Sequence, residues 1–85
     1  MSRVCALTFL SVHDVLKAEK LLQAEGRRVR LIPVPKQISP DCGVALQIAC
    51  DRLDEVKQTL HELAHRFKGC YYVEDAVFTP LEDDS

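Results

Sequence analysis

Residues 29–50 read VRLIPVPKQISPDCGVALQIAC, and they predict two β-strands joined by a proline-rich loop. Apolar residues alternate with polar or small ones on both sides of the loop, which is the two-residue period of a strand with one buried face. The strands are expected over Val29–Val34 and Gly43–Cys50. The prolines end the first strand because proline has no backbone N–H to donate to a neighbouring strand. The loop then delivers Cys42 directly before the second strand.

The rest of the chain adds two helices and two strands to this pair. Each helix is predicted between a side chain that caps its N-terminus and a glycine that ends it. The predicted bounds are Val4–Leu10 for the first strand, Ser11 and Gly26 for the ends of the first helix, Asp51 and Gly69 for the ends of the second, and Cys70–Val73 for the start of the last strand, with an extension to Phe78 left open.

The resulting order β–α–β–β–α–β predicts an α+β fold of the ferredoxin-like kind, a four-stranded antiparallel sheet with two helices on one face. Right-handed crossovers put the third strand between the first and the second, and the fourth strand outside the first. Residues 1–79 are expected to form this single domain, and residues 80–85 an acidic, flexible tail.

Composition limits the classes of partner. The chain has 85 residues, of which 28% are charged, and its formal net charge is −2. A slightly acidic domain has no general attraction to nucleic acid or to anionic membranes. No apolar run is long enough to span a bilayer. We therefore expect a cytoplasmic protein that binds neither nucleic acid nor membrane.

The four cysteines are expected to be thiols, since disulfides are rare in a reducing compartment. The chain has no CxxC pair, so the sequence does not support a thioredoxin-type motif or a zinc ribbon. Cys5 and Cys50 occupy apolar-face positions on predicted neighbouring strands, so we expect them to be inert packing residues. Cys42 differs because it lies on a loop, where a thiol is accessible to reagents. The simpler interpretation, that Cys42 only occupies a turn for which Gly43 supplies backbone freedom, stays open.

The predicted topology gathers several polar and reactive side chains at one rim of the sheet, and these are Ser11, His13, Lys36, Cys42, Lys68 and Cys70. A helix N-terminus favours a nearby thiolate, so Cys42 is predicted to be solvent-accessible and within reach of the first helix. Cys70 is expected about two strand spacings away, roughly 10 Å, which is too far for a disulfide without loop movement. Cys70 is therefore at most an occasional resolving thiol.

Two other patterns have simpler explanations. His61 and His65 fit the HExxH pattern of zinc proteases, but helical spacing turns them away from the apolar stripe of their helix. We expect them to face solvent and the chain to hold no metal and no cofactor. Arg27, Arg28 and Arg30 form a small basic patch that could dock phosphate or an acidic partner, although a solvated sheet edge is the simpler interpretation.

A set of short motifs runs in order from Ala6 to about Tyr72. They are Leu7-Thr8-Phe9, Ser11-x-His13, Ala18-Glu19-x-x-Leu22, Gly26, Leu31-Ile32-Pro33-Val34-Pro35, Ile38-Ser39 and Cys42-Gly43-x-Ala45. In these motifs the chain resembles a small bacterial family of selenium/sulfur carrier proteins. The block from the prolines to the cysteine is the specific part. Sequences of that family often have arginine at the position of Lys36. Lysine keeps the positive charge but cannot bind an anion through two parallel hydrogen bonds.

The resemblance implies a carrier rather than a true enzyme. Cys42 would attack a persulfide or selenium donor and then bear the sulfur or selenium atom, and Gly43 would permit close approach. Ser11, His13 and Lys36 would support the anion at the start of the first helix. The implied partners are a protein donor, such as a cysteine desulfurase, and an acceptor protein.

A non-catalytic binding or regulatory module is the alternative, because ferredoxin-like domains serve many functions. In that case residues 33–43 would form a surface for a partner or for a second copy of the chain. The helix-free face of the sheet is expected to be exposed and moderately polar, and so able to support a homodimer; it carries Ala6, Thr8, Ala45, Gln47 and Ala49.

Overall fold

A computed structural model describes residues 3–40, 42–62 and 67–81. The elements are β1 (Val4–Thr8), α1 (Val12–Ala24), β2 (Arg30–Pro33), β3 (Val44–Ala49), a short 3₁₀ helix (Cys50–Arg52), α2 (Leu53–Glu62), β4 (Gly69–Glu74) and β5 (Val77–Pro80). Within the described ranges, no helix has the length and apolar character needed to cross a membrane.

Both predicted ends of α1 are confirmed. The Ser11 side chain accepts a hydrogen bond from the Asp14 backbone N–H at 3.2 Å, which satisfies one of the unpaired donors of the first turn. Gly26 has a φ of +80°, and its N–H donates to the carbonyl of Gln23. The Arg27 N–H donates to Leu22 in turn, so the helix ends in a Schellman motif that needs a residue with positive φ.

The predicted ends of α2 are wrong. Asp51 lies inside the 3₁₀ helix that precedes α2, and no side chain caps that turn. Gly69 is the first residue of β4, so the glycine begins a strand and does not end a helix. A β-carbon on Gly69 would lie 3.4 Å from the Thr8 hydroxyl oxygen and 3.5 Å from the Tyr71 ring, so it would touch both side chains. Residues 63–66 lie outside the described residues.

The sheet is antiparallel throughout and has the strand order β2-β3-β1-β4-β5. As expected from the crossovers, β3 lies between β1 and β2, and β4 lies outside β1. The prediction of four strands is wrong, because the chain turns back after β4 at Asp75 and Ala76, which have positive φ, and adds β5. Pro80 is the last residue of β5, so the last strand does not simply extend to Phe78.

The larger core lies between the sheet and both helices. Val15, Ala18 and Leu22 of α1 and Val56 and Leu60 of α2 pack against the same strand face. That face carries alternate residues of the strands, and its buried members include Cys5, Leu7, Leu46 and Ile48. Burial of this apolar surface is the main term that stabilises the fold.

The opposite face of the sheet carries a second, smaller core. Ala6 and Ala45 are fully buried there, with Val34 beside them. The side chains that cover them come from the proline loop and from β4 and β5, and they include Ile38, Tyr71 and Phe78. The prediction of an exposed face is therefore wrong for Ala6, Thr8 and Ala45, because the loop and the fifth strand supply apolar cover. Gln47 and Ala49 are half-buried, and the homodimer stays a prediction.

Cys5 and Cys50 form a disulfide, which contradicts the prediction that both are inert thiols. Their Cα atoms are 5.1 Å apart, within the usual range for a disulfide. Cys5 lies in β1, and Cys50 lies where β3 has ended and the chain enters the 3₁₀ helix. The Cys50 N–H also donates to the carbonyl of Arg3 at 2.9 Å, so the backbone holds the two segments together at this point.

Candidate functional site

Cys42 lies directly before β3 and is buried, with 1% of its surface exposed. Its side chain belongs to the core between sheet and helices, and its Sγ donates a hydrogen bond to the Val44 carbonyl at 3.2 Å. The prediction that Cys42 is solvent-accessible is wrong. The physical reason is that a thiol is a small apolar group, and the chain turns it into the core as it enters β3.

The loop before Cys42 crosses from one core to the other. Val34 belongs to the helix-free core, and its N–H donates to the Gly43 carbonyl at 3.0 Å, which closes the loop at its base. Above this bond, the N–H groups of Ile38 and Ser39 both donate to the carbonyl of Pro35. These three backbone hydrogen bonds join described residues of the loop, and Cys42 itself lies outside the β2–β3 pairing, which ends at Pro33 and Val44.

The side chain of Ser39 destabilises the closed form of this loop. The residue is 1% exposed, and its hydroxyl oxygen has no hydrogen-bond partner among the described residues. A buried polar group without a partner costs about 1–3 kcal/mol relative to a paired one. Opening the loop would return this hydroxyl to water, so the unpaired group lowers the free-energy difference between the closed loop and an open one.

We expect Ser39→Ala to raise the free energy of unfolding by about 1 kcal/mol, because alanine removes the unpaired hydroxyl. If alkylation of Cys42 requires loop opening, the same change should slow that alkylation about fivefold in the folded protein. Urea unfolding and a timed alkylation followed by peptide mass mapping measure the two effects.

Ser11→Ala is the matched control for Ser39→Ala, since it removes another serine hydroxyl but one that caps α1. It should lower the free energy of unfolding by about 1 kcal/mol. Faster alkylation of Cys42 in Ser39→Ala than in the wild-type protein would contradict the role given to the Ser39 hydroxyl.

The other predicted site residues lie in different surroundings. The Ser11 hydroxyl is occupied by the α1 cap. His13 and Lys36 are exposed, and His13 lines a shallow depression on the outer face of α1 with Leu16 and Lys20. None of these three residues places a charged group in the core beside Cys42. The supporting roles of Ser11, His13 and Lys36 therefore stay predictions.

Gly43 is exposed and does not have a positive φ. A β-carbon there would meet nothing within 4 Å. The interpretation that Gly43 supplies special backbone freedom to a turn is therefore wrong for this closed loop. What the glycine provides is an unobstructed surface next to Cys42.

Cys70 is a buried thiol in the same core as Cys42. It lies in β4, paired with Leu7 of β1 on one side, and on the other side its carbonyl accepts a hydrogen bond from the Leu81 N–H at 3.0 Å. No disulfide joins it to Cys42. Its role as a resolving thiol stays a prediction.

His61 is exposed at the end of α2, and His65 lies outside the described residues. In the part of the chain that the structure describes, no three His, Cys, Asp or Glu side chains are grouped so that they could hold a metal ion. Because His65 is not among them, the expectation that this pair binds no metal stays a prediction.

The comparison with known proteins bears on the whole of this site. Residues 4–72 match the model of a family described as "Putative Se/S carrier protein-like". The chain belongs to this Se/S carrier protein-like family. The matched range contains β1 through most of β4, the proline loop and all four cysteines. No curated protein and no solved structure shows a significant similarity to the chain.

For a member of the Se/S carrier protein-like family, the structure separates the four cysteines into two kinds. Cys5 and Cys50 are oxidised to a disulfide, whereas Cys42 and Cys70 are buried thiols. Sequence reasoning missed the disulfide and the unpaired hydroxyl of Ser39. Neither feature has a local signal in the sequence, because both depend on how the loop and the 3₁₀ helix pack against the sheet.

Proposed function

We propose that this chain carries one sulfur or selenium atom on the Sγ of Cys42, from a donor protein to an acceptor protein. Family membership supports the class of cargo. The choice of cysteine is supported by the difference between the two thiols. Cys42 lies outside the sheet on a loop, whereas Cys70 is inside β4 with neighbours on both sides. The side chains of both residues lie in the core between the sheet and the helices, with Cys70 8% and Cys42 1% exposed, so the choice of Cys42 is supported by its place in the proline loop and not by its exposure.

The transfer is a thiol exchange in which atoms and electrons balance. Cys42 loses its proton and its Sγ attacks the outer sulfur of a donor persulfide. The new bond joins Sγ to that sulfur, the donor's own sulfur–sulfur bond breaks, and the donor leaves as a thiol that takes up a proton. A donor with a terminal selenium reacts in the same way. The acceptor thiol then attacks the outer atom and releases Cys42 as a thiol.

Burial of Cys42 fits two alternating states of the carrier. In the closed state the Sγ is inside the core and hydrogen-bonded to Val44, so thiols and oxidants in solution cannot reach it. In the open state the loop exposes the Sγ to the donor or to the acceptor. Two observations support an opening that leaves the sheet intact: Cys42 lies outside the β2–β3 pairing, and the Ser39 hydroxyl has no hydrogen-bond partner among the described residues.

The experiment is to incubate the protein with a cysteine desulfurase and cysteine, or with selenocysteine as the selenium source. The intact mass of the product is then measured, and the modified residue is found by peptide mapping. We expect one added sulfur or selenium atom per chain, carried by Cys42 and removed by an acceptor thiol. Loading of a different cysteine, or no loading with either source, would refute the proposal.

Gly43→Ala tests whether the open surface beside Cys42 serves the donor. The added methyl group meets nothing in the closed loop, so the free energy of unfolding should change by less than about 1 kcal/mol. The methyl group would stand beside the reacting sulfur of a docked protein. We expect alanine to slow loading from a protein persulfide severalfold and to leave loading from a small-molecule persulfide unchanged. Equal rates from the protein donor would show that the glycine is not needed for approach.

A further inference from the structure

The strands of the sheet have two ends, and the end opposite Cys42 is rich in arginine. We call it the arginine-rich edge. Here the start of β1 meets the end of β3, since Val4 pairs with Ala49, and the start of β2 also pairs with β3, since Arg30 faces Gln47. The arginines of the described residues all lie at or next to this edge, and they are Arg3, Arg27, Arg28, Arg30 and Arg52. A chain with a net charge of −2 thus concentrates positive charge in one place.

Two neighbouring hollows open at this edge, and both are lined by Arg28, Ile48 and Ala49. The larger has a volume of about 510 Å³ and is also lined by Arg27, Arg52 and the carboxylate residue Glu25. The smaller has a volume of about 270 Å³ and is lined by Arg3, Arg28 and Arg30, with no carboxylate residue among its lining side chains.

Arg27 and Arg52, which line only the larger hollow, already have anionic partners. Arg27 pairs with Glu25 at 3.4 Å and with Glu55 at 3.2 Å, and Arg52 pairs with Glu55 at 3.3 Å. Hydrogen bonds from Arg27 and Arg52 lower the pKa of the Glu55 carboxyl, so it stays ionised at neutral pH. Their charge is therefore partly neutralised within the protein.

The arginines of the smaller hollow have no such carboxylates among the residues described. Arg3 lies over the ring of Tyr72, 5.9 Å from its centre, which leaves its charge uncompensated by an anion. Neither Arg28 nor Arg30 forms an ion pair in the described structure. Three like charges around one hollow repel one another, and a bound anion would relieve this repulsion.

We propose that the smaller hollow is a binding site for a compact tetrahedral oxyanion of the phosphate class, held by Arg3, Arg28 and Arg30. A guanidinium group donates two parallel hydrogen bonds to the oxygens of such an anion, which a lysine cannot do. The hollow is open to solvent, and its lining also includes the apolar residues Val29 and Ile48. Three arginines around one hollow suit a compact anion of charge −1 or −2, and the net negative charge of the chain disfavours an extended polyanion.

The test is a titration of the full chain with inorganic phosphate at neutral pH and constant ionic strength, followed by NMR of the backbone amides. We expect saturable shifts of the amides of residues 28–30 with a dissociation constant in the millimolar range. A second titration with sulfate should give the same shifts, because the tetrahedral dianion is the recognised chemistry. Shifts that do not saturate, or that sodium chloride reproduces, would overturn the proposal.

The double variant Arg28→Gln/Arg30→Gln should weaken phosphate binding at least about tenfold, since two charge-assisted contacts are lost. Lys17→Gln/Lys20→Gln is the matched control, because it removes the same charge from the exposed face of α1. Equal weakening by both double variants would show that only net charge matters and would overturn the site.

Cys42→Ser should bind phosphate as the wild-type protein does, so this test succeeds or fails independently of the carrier function. Tighter binding of an aspartate-rich peptide to the same arginines would instead identify a protein-docking surface.

Discussion

Cys42→Ser is expected to abolish loading of the chain with sulfur or selenium. A serine hydroxyl cannot form the sulfur–sulfur or sulfur–selenium bond that holds the cargo, so the loss should be complete and not partial. The fold should survive, because serine is close to cysteine in size and its hydroxyl can donate to the Val44 carbonyl as the thiol does. Intact mass after incubation with a persulfide donor measures the loading, and urea unfolding measures the stability.

Cys70→Ser is the matched control, since it makes the same change at the other buried thiol. It should retain loading, because the backbone of Cys70 is held in β4 by hydrogen bonds on both sides, whereas Cys42 lies in a loop. If the two serine variants lose loading equally while both remain folded, a dithiol mechanism must replace the single-cysteine carrier.

Much of the fold could be predicted from local patterns in the sequence. The alternation in residues 29–50, the Ser11 cap and the glycine at position 26 each have a direct physical cause within a few residues, and each was interpreted correctly. The fifth strand was missed because its turn is made by Asp75 and Ala76. Alanine at positive φ gives no sequence signal of the kind that Asn-Gly or Asp-Gly would give.

The candidate site was less predictable, because it depends on contacts between distant segments. That Cys42 precedes β3 follows from the sequence, but its burial depends on how the loop enters the core. The position of Cys50 one residue beyond β3 lets it approach Cys5, whose direct partner on β3 is Ile48. An expectation of reduced cysteines came from the compartment assumed for the chain and not from geometry. The distance between Cys5 and Cys50 follows only when the strand register and the turn after β3 are both known.

Reduction of the Cys5–Cys50 disulfide is expected to lower the free energy of unfolding by about 2–4 kcal/mol. The two cysteines are 45 positions apart, so the bond closes a loop that contains α1, β2 and all of β3. In the chain-entropy account, a closed loop of this length restricts the unfolded chain by about 4 kcal/mol, with measured values commonly smaller. Since small domains have only about 5–15 kcal/mol of stability, this is a large fraction of the total.

Urea unfolding of the wild-type protein with and without a strong phosphine reductant measures this effect. Cys5→Ala/Cys50→Ala should resemble the reduced wild-type protein and be insensitive to reductant. Cys42→Ala/Cys70→Ala keeps the disulfide, so it should respond to reductant as the wild-type protein does. A wild-type unfolding midpoint that reductant leaves unchanged would mean that the disulfide does not form in solution.

Because Cys5 and Cys50 lie near the arginine-rich edge and Cys42 at the other end of β3, the Cys5→Ala/Cys50→Ala variant should still load Cys42 at temperatures where it stays folded.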